Sequence, residues 1–341
     1  MRPAVTMQNC QRNNVLELEG VMTIEEEVAG AKTVGITGHV RPDGDCVGAC
    51  LGLYNYITEN MPEIQVQVYL EKPGEEFDYI KGIDTVKYEP DDTVYDVFFV
   101  LDCSDYGRFK PFEKCFNNAV KTVCIDHHIR TQGFEADDCL VIPEVSSTCE
   151  VLFSTLDEDK ISKACAECIY TGIIHDTGVF KYGCTSSVTM NIAGKMMDKG
   201  IPYTDIIDNS FYKKSYVQNQ VLGRTLLESI LFYDKKCIFS AVTRKTMDFY
   251  GITGNELGGI IEQLRLTDGV EVAIFLYETG VNEFKVSMRS KNYVDVSKVA
   301  IHFGGGGHIH AAGCTMQGTV HDIINNIGAQ LEIQMGKMPN D

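Results

Sequence analysis

The amino-acid sequence predicts an α/β protein with two domains. Its 341 residues exceed the size of one typical domain, which is roughly 150 residues. Apolar runs such as VYDVFFVLD (94–102) and KTVCIDHH (121–128) are typical of strands that are buried on both faces of a parallel sheet. Helical patterns alternate with these runs, which favours a mostly parallel sheet flanked by helices.

The first domain is predicted over residues 23–200, after a polar and unpatterned N-terminal tail over 1–22. It opens with a short helix, a strand (KTVGITGH), a helix (CVGACLGLYNYIT) and a strand (IQVQVYLE). The two apolar strands come next. Two further helices are predicted over 164–174 and 187–199, and the second is followed by Gly200, which is a common helix stop.

A mixed, polar stretch over 201–220 is predicted to be the linker to the second domain, which is expected over 221–335. Four strands are indicated by ILFYD, CIFSAV, EVAIFLYE and EFKVSMRS. Helices are predicted over 255–266 and 295–303, and a last helix over 320–331 has apolar residues three or four positions apart. This domain is therefore predicted to be a smaller α/β unit.

The composition excludes several classes of protein. Apolar residues make up 44% of the chain, which excludes a disordered protein, and no apolar run approaches the about 18 residues of a membrane span. Thirteen scattered cysteines, without a secretory signal, indicate reduced thiols and a cytoplasmic protein. The net charge of −18 disfavours a protein that grips long nucleic acid, although a short anionic substrate could bind a locally positive pocket.

Acidic residues and histidines recur where elements of the first domain end. The set comprises His39, Asp43 and Asp45 after the first strand, Asp102 after VYDVFFVL, Asp126, His127 and His128 after KTVCI, and Asp176 at the end of a helix. Each residue alone is explained by a turn or a helix cap. Because the carboxyl ends of parallel strands meet at one edge of a sheet, we expect the set to lie together.

Carboxylates gathered in this way imply divalent cations. Asp43, Asp45, Asp102 and Asp176 repel one another when ionised, and two divalent ions would balance their charge. Mixed carboxylate and imidazole ligands suit Mn²⁺ or Mg²⁺. Asp102 is well placed to bridge the ions, and such a pair of ions binds an activated water and a phosphorus centre.

The sequence contains, in this order, the motifs HVRPDGD, LDCSD, DHH and HDTG. Their order and separations closely resemble those of the DHH phosphoesterase superfamily. GGGGHIHAAG (304–313) resembles the signature of the DHHA1 domain. The two-domain layout is most similar to the bifunctional oligoribonuclease and PAP phosphatase (NrnA-type) group. The resemblance implies an N-terminal DHH domain, a smaller C-terminal DHHA1 domain, and an active site in the cleft between them.

The resemblance also implies roles for the residues of the first domain. One Mn²⁺ ion would bind His39 and Asp43, the other would bind Asp45, His127 and Asp176, and Asp102 would bridge them. Mg²⁺ is the alternative ion. His128 would face the scissile phosphate as a catalytic hydrogen-bond donor or acid, and Asp126 would orient the histidines.

Substrate-binding groups are expected mainly in the second domain. Arg289 matches a family arginine that binds substrate phosphate, and Arg108 in the first domain is a further candidate. The glycine motif is predicted to form a tight anion-binding turn, because glycine lets backbone N–H groups approach a phosphate closely. Its candidate residues are Gly305, Gly306, Gly307 and His308. The segment SSTCE (146–150) is predicted mainly to cap a helix, and the resemblance implies that it lies near the active site.

These features predict a Mn²⁺-dependent phosphohydrolase that degrades very short oligoribonucleotides to 5′-mononucleotides, with PAP as a further candidate substrate. A cyclic dinucleotide or pApA phosphodiesterase is the first alternative, because its motifs are nearly the same. An inactive nucleotide-binding sensor would have lost a metal ligand, yet all six are present. A pyrophosphatase would need a cluster of Lys and Arg. No membrane partner is expected, and a homodimer is compatible with the sequence.

Overall fold

The computed structural model describes residues 22–103, 105–128 and 134–336, so the predicted tail lies, apart from Met22, outside the described residues. The chain divides into two compact units, one ending at Lys213 and the other beginning at Lys214. Each unit contains one β-sheet packed against helices, which confirms the predicted α/β class. None of the helices in the described part of the chain has the length and apolar character needed to cross a membrane.

The first unit contains a five-stranded sheet in the order β2-β1-β3-β4-β5, in which all pairs are parallel. Its strands are β1 (Thr33–Thr37), β2 (Gln65–Tyr69), β3 (Val97–Leu101), β4 (Lys121–Asp126) and β5 (Asp138–Val141). The first four were predicted from the sequence. β5 was not, because its apolar run CLVI (139–142) is short and lies between two aspartates and a proline.

Both faces of this sheet are buried, which explains the continuous apolar runs. Phe99 and Leu101 of β3 belong to the main core, whereas Phe98 and Val100 belong to an aromatic-rich cluster on the opposite face. The helices of the unit are α1 (Ile24–Glu27), α2 (Gly44–Asn60), α3 (Glu113–Asn118), α4 (Thr148–Phe153), α5 (Lys163–Asp176), α6 (Ser187–Asp198) and α7 (Tyr203–Ile206).

Helices α2 and α5 approach closely through glycine. A Cβ atom at Gly48 would lie 2.6 Å from the carbonyl oxygen of Cys168, and one at Gly172 would lie 2.5 Å from Oδ1 of Asp45. Larger residues at these positions would push the helices apart. The contact brings the first turn of α2 close to α5, which ends at Asp176.

The second unit contains a mixed six-stranded sheet in the order β10-β11-β9-β8-β7-β6. Its strands are β6 (Ile230–Phe232), β7 (Cys237–Val242), β8 (Val272–Gly280), β9 (Glu283–Ser290), β10 (Gly306–His308) and β11 (Ala311–Gln317). Only the pair of β7 and β8 is parallel. The helices are α8 (Tyr216–Leu227), α9 (Arg244–Tyr250), α10 (Ile260–Arg265), α11 (Val296–His302) and α12 (Val320–Met335).

The glycine motif differs from the predicted tight turn. Gly306 and Gly307 lie in β10, which pairs with β11 through a hairpin at the edge of the sheet. A Cβ atom at Gly305 would lie 2.2 Å from the carbonyl oxygen of Gly313, and Gly307 has φ of +142°. Close backbone approach and an unusual backbone conformation therefore account for glycine at these two positions.

Candidate metal centre

The three central strands β1, β3 and β4 end at one edge of the first sheet and present the predicted cluster there. Asp43 is the N-cap of α2, because its Oδ1 accepts the backbone N–H groups of Asp45 and Cys46 at 3.2 and 3.1 Å. Its Oδ2 lies 3.5 Å from Nε2 of His39. Asp43 thus has both the capping role and a place in the cluster. Gly44 is needed beside it, since a Cβ there would lie 2.1 Å from His175.

Asp102 directly follows β3 and has a left-handed backbone with φ of +54°. This conformation is rare for residues other than glycine, but Asp and Asn tolerate it best. The backbone N–H of Asp102 still donates to the carbonyl of Ile125, so the residue stays tied to β4. Strained backbone of this kind is often found where a side chain is held for function.

Two sets of predicted metal ligands share Asp102. In the first set, Nε2 of His39 lies 3.3 Å from Oδ2 of Asp102. In the second, Nε2 of His127 lies 3.0 Å from Oδ2 of Asp176 and 3.9 Å from both Oδ2 of Asp45 and Oδ1 of Asp102. Together with Asp43, the structure therefore brings all six predicted ligands into one cluster, with Asp102 between the two imidazoles.

The donors fit divalent cations. Nε2 of His39 and Nε2 of His127 are buried and lack a well-aligned hydrogen-bond partner among the described residues. Nδ1 of His39 is hydrogen bonded to the carbonyl of Val40 at 2.9 Å, which leaves Nε2 as the nitrogen that could bind a metal ion. Buried polar atoms are normally hydrogen bonded, so two imidazole nitrogens that face carboxylates without a well-aligned hydrogen bond indicate a place for metal ions.

The electrostatics agree with this assignment. Burial lowers the pKa of His39, but the carboxylates of Asp102 and Asp43 outweigh it and raise that pKa to about 11. Burial likewise lowers the pKa of His127, and Asp176 and Asp45 raise it to about 10. Burial next to Asp102 and Asp176 raises the pKa of Asp45. The imidazoles of His39 and His127 and the carboxyl group of Asp45 therefore favour their protonated forms when no cation is bound, and a cation would replace those protons.

Asp126 and His128 lie beside this cluster. Oδ1 of Asp126 accepts the backbone N–H groups of His127 and His128 at 2.8 and 3.1 Å, and it lies 2.8 Å from Nδ1 of His128. The hydrogen bond that Nδ1 of His128 donates to Asp126 is the main cause that raises the pKa of His128. Because Nδ1 is held in this way and the side chain is 37% exposed, Nε2 is the ring nitrogen available to a substrate.

Two neighbours of the cluster were not predicted as site residues. The hydroxyl of Thr148 donates to Oδ1 of Asp102, and the backbone of Thr148 donates to Asp45. Cys46 is fully buried, and its Sγ lies within 4.8 Å of ligand atoms of His39 and Asp102. The SSTCE motif predicts a helix cap, and Ser147 is the N-cap of α4. No local pattern in the sequence indicates that the following residue, Thr148, contacts Asp102.

The predicted substrate residues lie in two places. The backbone carbonyl of Arg108 accepts the N–H of Val40 at 2.6 Å, so the Arg108 segment adjoins the loop that carries His39. In the second unit, Arg289 is opposite Ala311, which is opposite His308, across neighbouring strands. Residues that are directly opposite share one face of a sheet, so Arg289 and His308 lie on the same face.

Arg289 is also held by an acidic partner. Its Nε donates to Oε1 of Glu262 at 2.9 Å, and its Nη1 donates to the carbonyl of Met288 at 3.1 Å. Oε2 of Glu262 pairs with Arg265 of α10 at 2.8 Å. A guanidinium has five N–H donors, so these contacts orient Arg289 and leave donors for a further acceptor.

We expect Mn²⁺ to stabilise the metal-free protein. A ligand that binds only the folded state stabilises by mass action, and relief of carboxylate repulsion adds to this effect. At 100 times the Kd, one ion contributes about 2.7 kcal/mol, which corresponds to a rise in Tm of roughly 5–10 °C for a unit of this size. Thermal denaturation with EDTA and then with excess Mn²⁺ measures the rise. A Tm that does not respond to Mn²⁺ would show that these residues do not share one metal site.

Both units of the chain are similar to known proteins. Residues 33–173 match the DHH family, N-terminal domain, and residues 234–332 match the DHHA1 domain. The bifunctional oligoribonuclease and PAP phosphatase NrnA of Bacillus subtilis is 24% identical over 83% of this chain and 89% of its own length. The protein of that name from Thermus thermophilus is 27% identical over 83% of this chain and 84% of its own.

A solved structure shares the fold. The crystal structure of an exopolyphosphatase-related protein from Bacteroides fragilis matches with a TM-score of 0.78. The match covers 90% of this chain and 94% of that chain at 24% sequence identity. At this level of identity, the similarity concerns the fold.

Proposed function

The chain belongs to the DHH/DHHA1 phosphoesterase family, and on that premise we propose that it is a Mn²⁺-dependent phosphohydrolase of very short oligoribonucleotides. Its products would be 5′-mononucleotides, and PAP is proposed as a further substrate. The relatives named NrnA support this choice within the family.

The observation that carries the proposal is the position of Asp102 between two sets of ligands. Its Oδ2 faces His39, and its Oδ1 faces His127 and His128. Bound there, two divalent ions would supply an activated water and neutralise charge on the phosphate. The protein's part is to hold its carboxylates and imidazoles so that one phosphate meets the activated water and His128 together.

His128 is proposed to act on the scissile phosphate. Asp126 is fully buried and holds Nδ1 of His128, so the ring is oriented before the substrate arrives. Nε2 would then donate a hydrogen bond to a phosphate oxygen or a proton to the leaving oxygen. Because Asp126 raises the pKa of His128, it favours the protonated form that can act as this donor.

Short substrates are favoured by the charge of the chain. The net charge of −18 repels a long phosphate backbone, which would need a basic track to bind. We propose that substrate phosphates bind to Arg289, Arg108, His308 and the glycines at 305–307. A pocket of ordinary size then accommodates dinucleotides to about pentanucleotides.

The experiment that tests the proposal is a substrate panel with Mn²⁺. It contains oligoribonucleotides of increasing length, PAP, pApA, cyclic di-AMP and pyrophosphate, with EDTA-treated protein and Ca²⁺ as controls. We expect the fastest release of mononucleotides from the shortest RNAs and no turnover after EDTA. Preference for pApA or cyclic di-AMP would favour the cyclic dinucleotide alternative, and binding without turnover would favour the sensor. Full turnover in EDTA would contradict the proposed metal chemistry.

A further inference from the structure

The first turn of α4 contacts two of the proposed metal ligands at once. The backbone N–H of Thr148 donates to Oδ2 of Asp45 at 2.6 Å, and that of Cys149 donates to Oδ1 at 3.0 Å. The hydroxyl of Thr148 donates to Oδ1 of Asp102 at 2.9 Å. All three contacts are buried, so water does not compete with them.

The hydroxyl contact matters because the two oxygens of Asp102 face different partners. Oδ2 lies 3.3 Å from Nε2 of His39, whereas Oδ1 lies 3.4 Å from Nδ1 of His128 and 3.9 Å from Nε2 of His127. The last torsion of an Asp side chain is broad and only weakly determined by its own rotamer preference. A contact from another residue is therefore needed to keep one oxygen of Asp102 facing each of the two sets of proposed metal ligands.

We propose that Thr148 is a positioning residue that fixes the rotation of the Asp102 carboxylate, so that each oxygen serves one of the two cations. The hydrogen bond uses one lone pair of Oδ1 and leaves the other for a cation. Without the hydroxyl, the carboxylate can turn and offer both oxygens to the same ion. This inference rests on the two-ion site of the proposed function.

Thr148 is itself held in place by neighbouring helices. Glu150 is buried, and its Oε2 accepts the hydroxyl of Ser146 at 2.5 Å and that of Thr189 in α6 at 2.8 Å. Ser147 caps α4 by accepting the N–H of Glu150 at 3.1 Å. These bonds tie the first turn of α4 to α6. The hydroxyl of Thr148 is thus attached to a rigid support, as a positioning group requires.

The test compares Thr148→Val, which has nearly the same shape but no hydroxyl, with Thr148→Ser, which keeps the hydroxyl. Thr155→Val is the matched control, because Thr155 is also buried and its hydroxyl donates only to the carbonyl of Leu152. Each protein is loaded with Mn²⁺ and studied by electron paramagnetic resonance, and the bound ions are counted by calorimetry. Two neighbouring Mn²⁺ ions give an exchange-coupled spectrum that isolated ions do not.

We expect the coupled spectrum in the wild type, Thr148→Ser and Thr155→Val. In Thr148→Val we expect isolated ions and an affinity for the second ion that is weaker by about 10–100-fold, as for other groups that orient metal ligands. A coupled spectrum in Thr148→Val, or its loss in Thr148→Ser or Thr155→Val, would overturn the role of the hydroxyl. Its absence from the wild type would instead overturn the two-ion site and with it the proposed function.

Discussion

Replacement of Asp102 by Ala is expected to abolish turnover, whereas replacement of Cys168 by Ala leaves it nearly unchanged. Asp102 faces both sets of proposed ligands, so its loss misplaces both cations and the attacking water. Loss of groups that only orient metal ligands already costs 10–100-fold, so we expect a decrease in kcat of more than about 100-fold. Cys168 lies in α5 and is buried in the main hydrophobic core, where its thiol accepts a hydrogen bond from Asn55 at 3.6 Å.

Asp102→Asn gives a second and sharper version of this test. Asn tolerates the left-handed backbone at this position and keeps the shape of the side chain, while it removes the charge that attracts the cations. Mn²⁺ binding and kcat are measured for each variant, and circular dichroism verifies folding. Similar losses of activity in the Asp102 and Cys168 variants would show that the decrease reflects general damage to the fold, and the proposed bridge would then be wrong.

Replacement of Arg289 by Ala is expected to lower kcat/KM for short oligoribonucleotides on the order of 100-fold, the cost of a misplaced reacting group. The same variant should hydrolyse a small activated phosphodiester almost as fast as the wild type, because such a substrate does not need a second phosphate contact. Arg289 is held in place by Glu262 and keeps free N–H donors, which suits it to bind phosphate. The measurement is the ratio of kcat/KM between wild type and Arg289→Ala, determined separately for each of the two substrates.

Arg265→Ala is the matched control for this prediction. Arg265 pairs with the other oxygen of Glu262, so its removal disturbs the same ion-pair cluster without removing the proposed phosphate ligand. An equal loss in both variants would mean that Arg289 acts only through the fold of its domain. The expectation that both domains contribute to one active site remains a prediction, and retention of oligonucleotide activity by Arg289→Ala would contradict it.

The proposed length limit is tested with 5′-labelled RNAs at low and high salt. We expect activity to fall as the RNA grows from a dinucleotide, because the acidic chain repels the additional phosphates. An RNA of about 24 nucleotides should be a poor substrate at low salt, and high salt should partly relieve the repulsion because it screens the charges. If it is degraded processively and as fast as a dinucleotide, a processive exonuclease becomes the better assignment.

Much of the first domain could be predicted because its signals are local. The apolar residues of β3 and β4 specify strands buried on both faces, and strands of that kind belong to parallel sheets. Parallel strands end at one edge, which is why Asp102 and Asp126 could be placed together from sequence. The short strand β5 and the hairpin of β10 and β11 lack such a signal. The glycines at 305 and 307 reflect close contact with β11, which a sequence pattern does not distinguish from a turn.

The α/β class and the set of carboxylates and imidazoles at one sheet edge could both be predicted, since they follow from residue type and from position at the end of a strand or helix. The orientation of that set depends on the tertiary fold. Thr148 reaches Asp102 across 46 positions and Asp45 across 103, and Glu262 holds Arg289 across 27. Hydrogen bonds between such distant residues depend on how the helices pack around the sheet, so no local pattern specifies which carboxylate oxygen each donor will hold.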